Sequence, residues 1–386
     1  MKHFFIGTIL AVTLAACNSA SEVITLAPMP IAKISPENSQ GKIDVLKEPL
    51  GLGVHKVEIL GAARLQLKFN ASNLKTGQTV VIKGNDQEQS FNRDQLVSWD
   101  GMTAEFNSDV LTIEIFSENS EKVELTIEEI NIATKGFMAE ASENIPSGLT
   151  DIFGSEARKY FPSGALNVTE SIKSICGNKD DRVKSSHALV GRIMPNGCTG
   201  WIISDGRFLT AGHCKGPQMR RLEFNVPISN SDGTIVASKI KDQYAIVSSS
   251  IDSVNGGIGN DWAIFNVAAN TETSLMPEQA QGGHFRITNK LNPDTVRITG
   301  FGVDDGADNQ VQQTDSGELV SNTVHSNTSA TLKYRADSRG GNSGGPVITN
   351  GDNNTAIGIH SHAGCHVSGG ENHGTSFRHK ELWDKL

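Results

Sequence analysis

Apolar and polar residues alternate with a period of two along much of the chain. Val57 and Ile59; Leu65, Leu67 and Phe69; Val80 and Ile82; Leu111, Ile113 and Ile115; and Val123, Leu125 and Ile127 each line one face of an extended run. Turn signals at Lys75-Thr76-Gly77 and Gly84-Asn85-Asp86 separate them, so the pattern predicts a β-sandwich over residues 45–137. Asp100 and Glu105, beside Trp99, read there as turn and rim residues without a catalytic task. A second series of runs follows, at 188–193, 201–203, 208–210, 234–236, 244–247, 263–265, 296–298 and 347–348, and supplies strands for two barrels. A short helix is expected over 377–386, with Phe377, Trp383 and Leu386 turned inward. The fold class is therefore all-β.

Three stretches break the pattern. Residues 1–17 carry Lys2 and His3, an apolar run from Phe4 to Ala16, and then Cys17; this is too short to span a membrane and predicts an export signal. Its ending, Leu14-Ala15-Ala16-Cys17, resembles the bacterial lipobox, which implies an acylated Cys17 and a place in the cell envelope; the alternative is an ordinary signal peptide with a cysteine nearby. Residues 18–44, rich in Ser, Pro, Ala and Asn, read as a tether. Residues 138–175 read as a processing linker interrupted by Pro146, Gly148, Pro162 and Gly164. Arg158-Lys159 and Lys173 offer basic cleavage sites there, through which the catalytic part would be released, or are simply solvated charge.

Composition sharpens this picture. A net charge of −9 with no basic face excludes nucleic acid as a partner, and membrane contact is expected only through the lipid on Cys17. Export to an oxidising compartment leaves four cysteines, enough for two disulfides. With 39 glycines, few aromatic residues and 37% apolar residues, the chain suits short strands, tight turns and ordinary cores.

The chemistry gathers at Gly340-Gly341-Asn342-Ser343-Gly344-Gly345-Pro346, where one hydroxyl stands among bare backbone that a substrate can approach. A serine hydroxyl needs a base and a group to orient that base. His213, in Leu209-Thr210-Ala211-Gly212-His213-Cys214, is the candidate base. Asp261, in Gly259-Asn260-Asp261-Trp262-Ala263-Ile264-Phe265, is the candidate orienting acid, with Asp242 as its rival. The same serine segment also fits the nucleophile elbow of α/β-hydrolases, but that fold needs its acid and histidine after the serine, and too little chain follows Ser343.

In the order His213, Asp261, Ser343, these motifs resemble those of the chymotrypsin/trypsin-like serine peptidases, over residues 176–386. The resemblance implies a chymotrypsin-like double β-barrel that hydrolyses protein or peptide substrates through an acyl-enzyme. It further implies an oxyanion hole from the N–H groups of Gly341 and Ser343, and neither metal nor organic cofactor. It implies a disulfide between Cys198 and Cys214, which flank a predicted hairpin ending at His213. Cys176 and Cys365 are left, and a resemblance to lysyl endopeptidases implies that they pair. The N-terminal strands likewise resemble the prodomain of lysyl endopeptidase-like proteins, and a surface-binding module would look similar.

One departure is Asn342 in place of the Asp that pairs with a freed N-terminus in trypsin-like enzymes. Removal of a covering prodomain is the expected substitute. Specificity is read as basic, with an acidic preference as the alternative. Asp337, six positions before Ser343, matches the pocket-floor carboxylate of trypsin-like enzymes and, with Glu371, implies cleavage after basic residues. Ile357-Gly358-Ile359-His360 resembles glutamyl endopeptidases, with Ser338, Ser361 and His362 as further pocket residues, and implies cleavage after Glu. The contrasting function is a catalytically silent binding protein that works through its β-sandwich.

Overall fold

In the computed structural model, residues 22–25, 41–44, 49–59, 61–119, 121–134, 173–352 and 354–386 are described. The predicted signal, Cys17, and most of the tether and linker lie outside them.

The N-terminal alternation does form strands. A five-stranded sheet runs in the order Glu22–Thr25, Gly53–Glu58, Val110–Ser117, Gln78–Gly84, Gln87–Asn92, and a three-stranded sheet in the order Gly41–Asp44, Ile127–Thr134, Ala62–Phe69. Both contribute to one apolar core, to which Leu65, Leu67, Val80, Ile82, Ile113, Ile115, Ile130 and Ile132 belong. Val123 and Leu125 are buried as expected, but Leu125 makes only an isolated bridge with Leu50, and the strand starts at Ile127. A short helix, Arg93–Ser98, opens on a capping box between Asn92 and Gln95 and delivers Trp99 into the core.

The catalytic part holds two large sheets and one two-stranded pair. The first is seven-stranded, in the order Gln243–Ala245, Met219–Glu223, Val190–Pro195, Cys198–Ile202, Phe208–Thr210, Asp261–Phe265, Asp252–Asn255. It stops short of a full barrel: its ends are joined by a single bridge, Ile246 opposite Val267. In the second, Gln312–Ser326, Thr295–Phe301, Pro346–Thr349, Thr355–His362, Asn372–Ser376 and Ser329–Tyr334 pair in turn. Ser329–Tyr334 then pairs back onto Gln312–Ser326, which closes a six-stranded barrel. The expected double barrel is thus one closed barrel and one half-barrel. The run 234–236 is not a strand, because its carbonyls accept from arginine side chains rather than from a neighbouring strand. The final helix is Lys380–Trp383, capped by the His379 ring, with Phe377 buried and Trp383 and Leu386 packed against the core.

Candidate active site

His213 and Asp261 both come from the half-barrel. Phe208–Thr210 pairs with Asp261–Phe265, so the turn after the first strand lies beside the start of the second. There Asp261 Oδ1 accepts the His213 backbone N–H (2.8 Å), and Oδ2 lies 2.6 Å from His213 Nδ1. One carboxylate thus fixes both the loop and the ring. Asp261 is fully buried, while the His213 side chain keeps 33% of its surface exposed. Asp261 is itself held, because its backbone N–H donates to Thr375 Oγ1 (3.0 Å) and its carbonyl accepts from that hydroxyl (3.0 Å). The rival Asp242 is buried elsewhere and accepts from Asn225 Nδ2 (2.7 Å). A disulfide joins Cys198 to Cys214 directly after His213.

Ser343 comes from the closed barrel, and its loop is pinned across the seam between the two halves. The Ser343 carbonyl accepts from Thr199 N–H (2.8 Å), the Gly341 carbonyl from Thr199 Oγ1 (2.9 Å), and the Gly344 carbonyl from the Trp201 indole (2.9 Å). On the other side, Gly344 N–H donates to the His360 carbonyl and His360 N–H to the Gly345 carbonyl, both at 2.8 Å. Gly341 and Gly344 have φ of 99° and 89°, and a Cβ on either would meet backbone oxygen at 2.3 Å or less, so only glycine serves there. Ser343 itself is half-buried, and among the described residues neither it nor Gly341 donates its N–H to an acceptor.

The predicted pocket residues divide into two groups. Asp337 does not offer a free carboxylate: Oδ1 accepts from Cys176 N–H (2.7 Å) and Oδ2 from Asp181 N–H (2.8 Å), while its own N–H donates to Asp315. Burial holds its carboxyl above the ordinary range, against those two hydrogen bonds. Glu371 is likewise engaged, with Arg335 Nη2 at 3.3 Å. Ser338 is buried and accepts from Asn372 Nδ2 (3.1 Å).

The histidines are different. His360 is buried, with Nδ1 2.6 Å from the Tyr334 hydroxyl, and burial together with neighbouring His362, His213 and His373 pushes its pKa down to about 3. His362 shares a hydrogen bond with Ser361 Oγ (2.9 Å) and stands 3.8 Å from Asp261 Oδ2. Burial lowers its pKa despite that carboxylate. Tyr334 and Thr375 escaped sequence reading because each is an ordinary strand residue until the barrel closes.

The segment that enters the catalytic part is built into this region. Lys173–Ser174 pairs with Ser338–Arg339, and Ser174 Oγ accepts from the N–H groups of Gly364 (3.0 Å) and Cys365 (3.1 Å). Cys176 is disulfide-bonded to Cys365. Arg182 pairs with Asp180 and Asp304 at 2.7 Å, and Arg339 reaches both acids at 3.2 and 3.1 Å. Burial opposes the Arg182 charge, but those acids outweigh it and raise its pKa. These contacts brace the segment before Asn342 without using a chain terminus.

This chain is similar to several known proteins. A glutamyl endopeptidase of Bacillus licheniformis is 25% identical over 272 residues, covering 62% of this chain and 81% of that protein. Among solved structures, the thermostable serine protease AL20 from an extremophilic microorganism is 15% identical with a TM-score of 0.39, covering 52% of this chain and 99% of that one. The protease Anisep from Arthrobacter nicotinovorans is 18% identical with a TM-score of 0.39, covering 50% and 93%. The family model described as trypsin matches residues 175–379, more than half of the sequence, so this chain belongs to the trypsin family and is a serine endopeptidase.

Proposed function

We propose that Ser343 attacks the substrate carbonyl while His213 takes its proton, with Asp261 holding the imidazole so that Nδ1–H faces the carboxylate and the other ring nitrogen faces the serine. His213 then returns the proton to the departing amine, and water releases the acyl group by the same exchange in reverse. The N–H groups of Gly341 and Ser343 receive the oxyanion. The observation that carries this reading is the two-point grip of the buried Asp261 on His213, together with a Ser343 loop pinned from both halves.

Cleavage after acidic residues is the better-supported specificity. Asp337 has both oxygens committed to backbone, so the basis for a basic preference is gone. His360, neutral and buried beside the nucleophile loop, does not repel an incoming carboxylate. The glutamyl endopeptidase relative points the same way. The two disulfides support an exported protein, and the lipid on Cys17 belongs to the same proposal. Any processing cut falls before Lys173, since Lys173–Ser174 pairs with Ser338–Arg339 just ahead of the nucleophile loop.

A fluorophosphonate should label Ser343, and peptides differing only in Glu, Lys or Arg before the bond should be cut fastest after Glu. Absence of labelling would overturn the triad, and faster cleavage after Lys or Arg would overturn the specificity.

A further inference from the structure

The N-terminal unit meets the half-barrel across a face that is both buried and charged. Arg64 Nε and Arg221 Nη2 both donate to Glu105 Oε2, at 2.9 and 2.8 Å. Arg221 Nε continues to Glu223 Oε1 (2.8 Å), and Glu223 Oε2 accepts from Arg192 Nη2 (2.7 Å). Each of these five side chains is at most 8% exposed. Burial alone would raise the Glu223 pKa, but Arg192 and Arg221 bring it down to about 2, so Glu223 stays ionised between them. Glu105, expected at a rim, is instead the acid that joins Arg64 of the N-terminal unit to Arg221 of the half-barrel, and Glu129 makes a second link to Arg220 (2.8 Å).

Neutral contacts surround that link. Asn107 bonds both the N–H (2.8 Å) and the carbonyl (3.0 Å) of Ala237, and Gln243 does the same to the backbone of Glu105 (2.8 and 3.0 Å). The Trp99 indole donates to the Ala269 carbonyl (2.9 Å). Ile240, Ala245 and Ala268 of the catalytic part belong to the apolar core of the N-terminal unit.

A removable cover should leave behind surfaces that water tolerates. Separation here would open an apolar core and split a buried charge chain, and stripping a partner from a buried ion is strongly destabilising. Nor does the unit act as a lid: among the described residues, none of its hydrogen bonds or ion pairs reaches His213 or Ser343. The charge chain does lead toward the nucleophile loop. Arg192 Nη1 donates to the Gln310 carbonyl (2.9 Å), and Gln310 Nε2 donates to the Phe301 carbonyl (2.8 Å). That amide stands where a Cβ on Gly341 would meet it at 2.5 Å.

We propose that residues 49–134 are a permanent partner of the catalytic part, staying bound after the connecting chain is cut, with Glu105 as a positioning residue that braces the nucleophile loop through Arg221, Glu223, Arg192 and Gln310. The bracing rests on the serine-peptidase reading; the lasting attachment does not.

The test places a site for a sequence-specific protease within residues 138–170 of the full chain and follows the cut protein by native size-exclusion chromatography and peptide turnover. The two pieces should elute as one species with unchanged turnover. Separation of the pieces in native buffer would overturn the proposal, whatever activity the catalytic piece kept. Asn107→Ala, at a partly exposed site, and Glu105→Gln should each weaken association of the cut pieces, about tenfold or more for the latter. In the uncut chain, Glu105→Gln should lower kcat about fivefold with KM unchanged, since it acts on the loop and not on the pocket. An unchanged kcat would remove Glu105 from that role. If the uncut wild type takes no fluorophosphonate, the peptidase reading fails, while co-elution still decides the attachment.

Discussion

The half-barrel that carries His213 and Asp261 and the closed barrel that carries Ser343 become rigid by different routes. The closed barrel needs no outside help: Ser329–Tyr334 pairs back onto Gln312–Ser326 and leaves no edge within its six strands. The half-barrel ends on one bridge, Ile246 opposite Val267, and is backed by a second unit through buried charges. On the proposed mechanism the register between the halves matters, and a shared apolar core and several hydrogen bonds hold it, among them Asp261 with Thr375 and Arg192 with Gln310. Thr199 and Trp201 reach from the half-barrel to the carbonyls of Gly341, Ser343 and Gly344. A reactive pair split across two bodies is only as well aligned as the stiffer pins between them.

Breaking the pair itself should have the largest effect. Ser343→Ala, on the closed side, should lower kcat by on the order of 10⁴-fold or more, measured with a peptide substrate. Asp261→Asn, on the half-barrel side, should cost about 10³- to 10⁴-fold, because an amide holds the imidazole in the wrong tautomer. Asp242→Asn, whose partner is Asn225, should leave kcat nearly unchanged. If Asp242→Asn were the more damaging of the two, the assignment of the orienting acid would be reversed.

A second break tests the clamp on the closed barrel. The Cys176–Cys365 bond spans a sequence separation of 189, so replacing both cysteines by serine should destabilise the protein by about 5 kcal/mol on loop-entropy grounds. That corresponds to a fall in Tm of roughly 10 °C for a domain of this size, read by thermal unfolding. A change under about 2 °C would mean that the ion cluster around Arg182 holds the segment unaided.

A further effect concerns acid. His360 is ordinarily protonated near pH 6.5, yet the folded protein refuses that proton down to about pH 3. The unfolded chain takes it up first, so stability falls as pH drops through this window, by up to about 1.4 kcal/mol per unit. Glu223 adds to the loss in the half-barrel between its ordinary 4.5 and about 2, where the unfolded chain again binds the proton first. His360→Gln should therefore flatten the decline from pH 6.5 to about 3 and leave the Glu223 contribution below 4.5, seen as Tm against pH. An identical profile in the variant would show that His360 is not held neutral.

Much of the molecule was legible in the sequence. Period-two alternation is a local consequence of strand geometry, so most strands could be placed without a partner in view. The motifs around His213, Asp261 and Ser343 were legible for a similar reason: nucleophile chemistry restricts residue types over a few neighbouring positions. Two cysteines flanking a hairpin, Cys198 and Cys214, were readable on the same terms.

What the sequence left open depends on which distant residues meet. Asp337 reads as a pocket acid until Cys176 and Asp181 arrive from more than a hundred residues away and take both of its oxygens. Glu105 reads as a surface acid until Arg221 meets it across the interface. Whether a barrel closes depends on strand ends finding partners, which alternation does not encode: 234–236 has strand composition but gives its carbonyls to Arg64 and Arg192. A charged side chain has the same sequence signature whether it is solvated or buried in a pair. Only tertiary structure decides between the two, because the desolvation cost is set by neighbours and not by the residue itself.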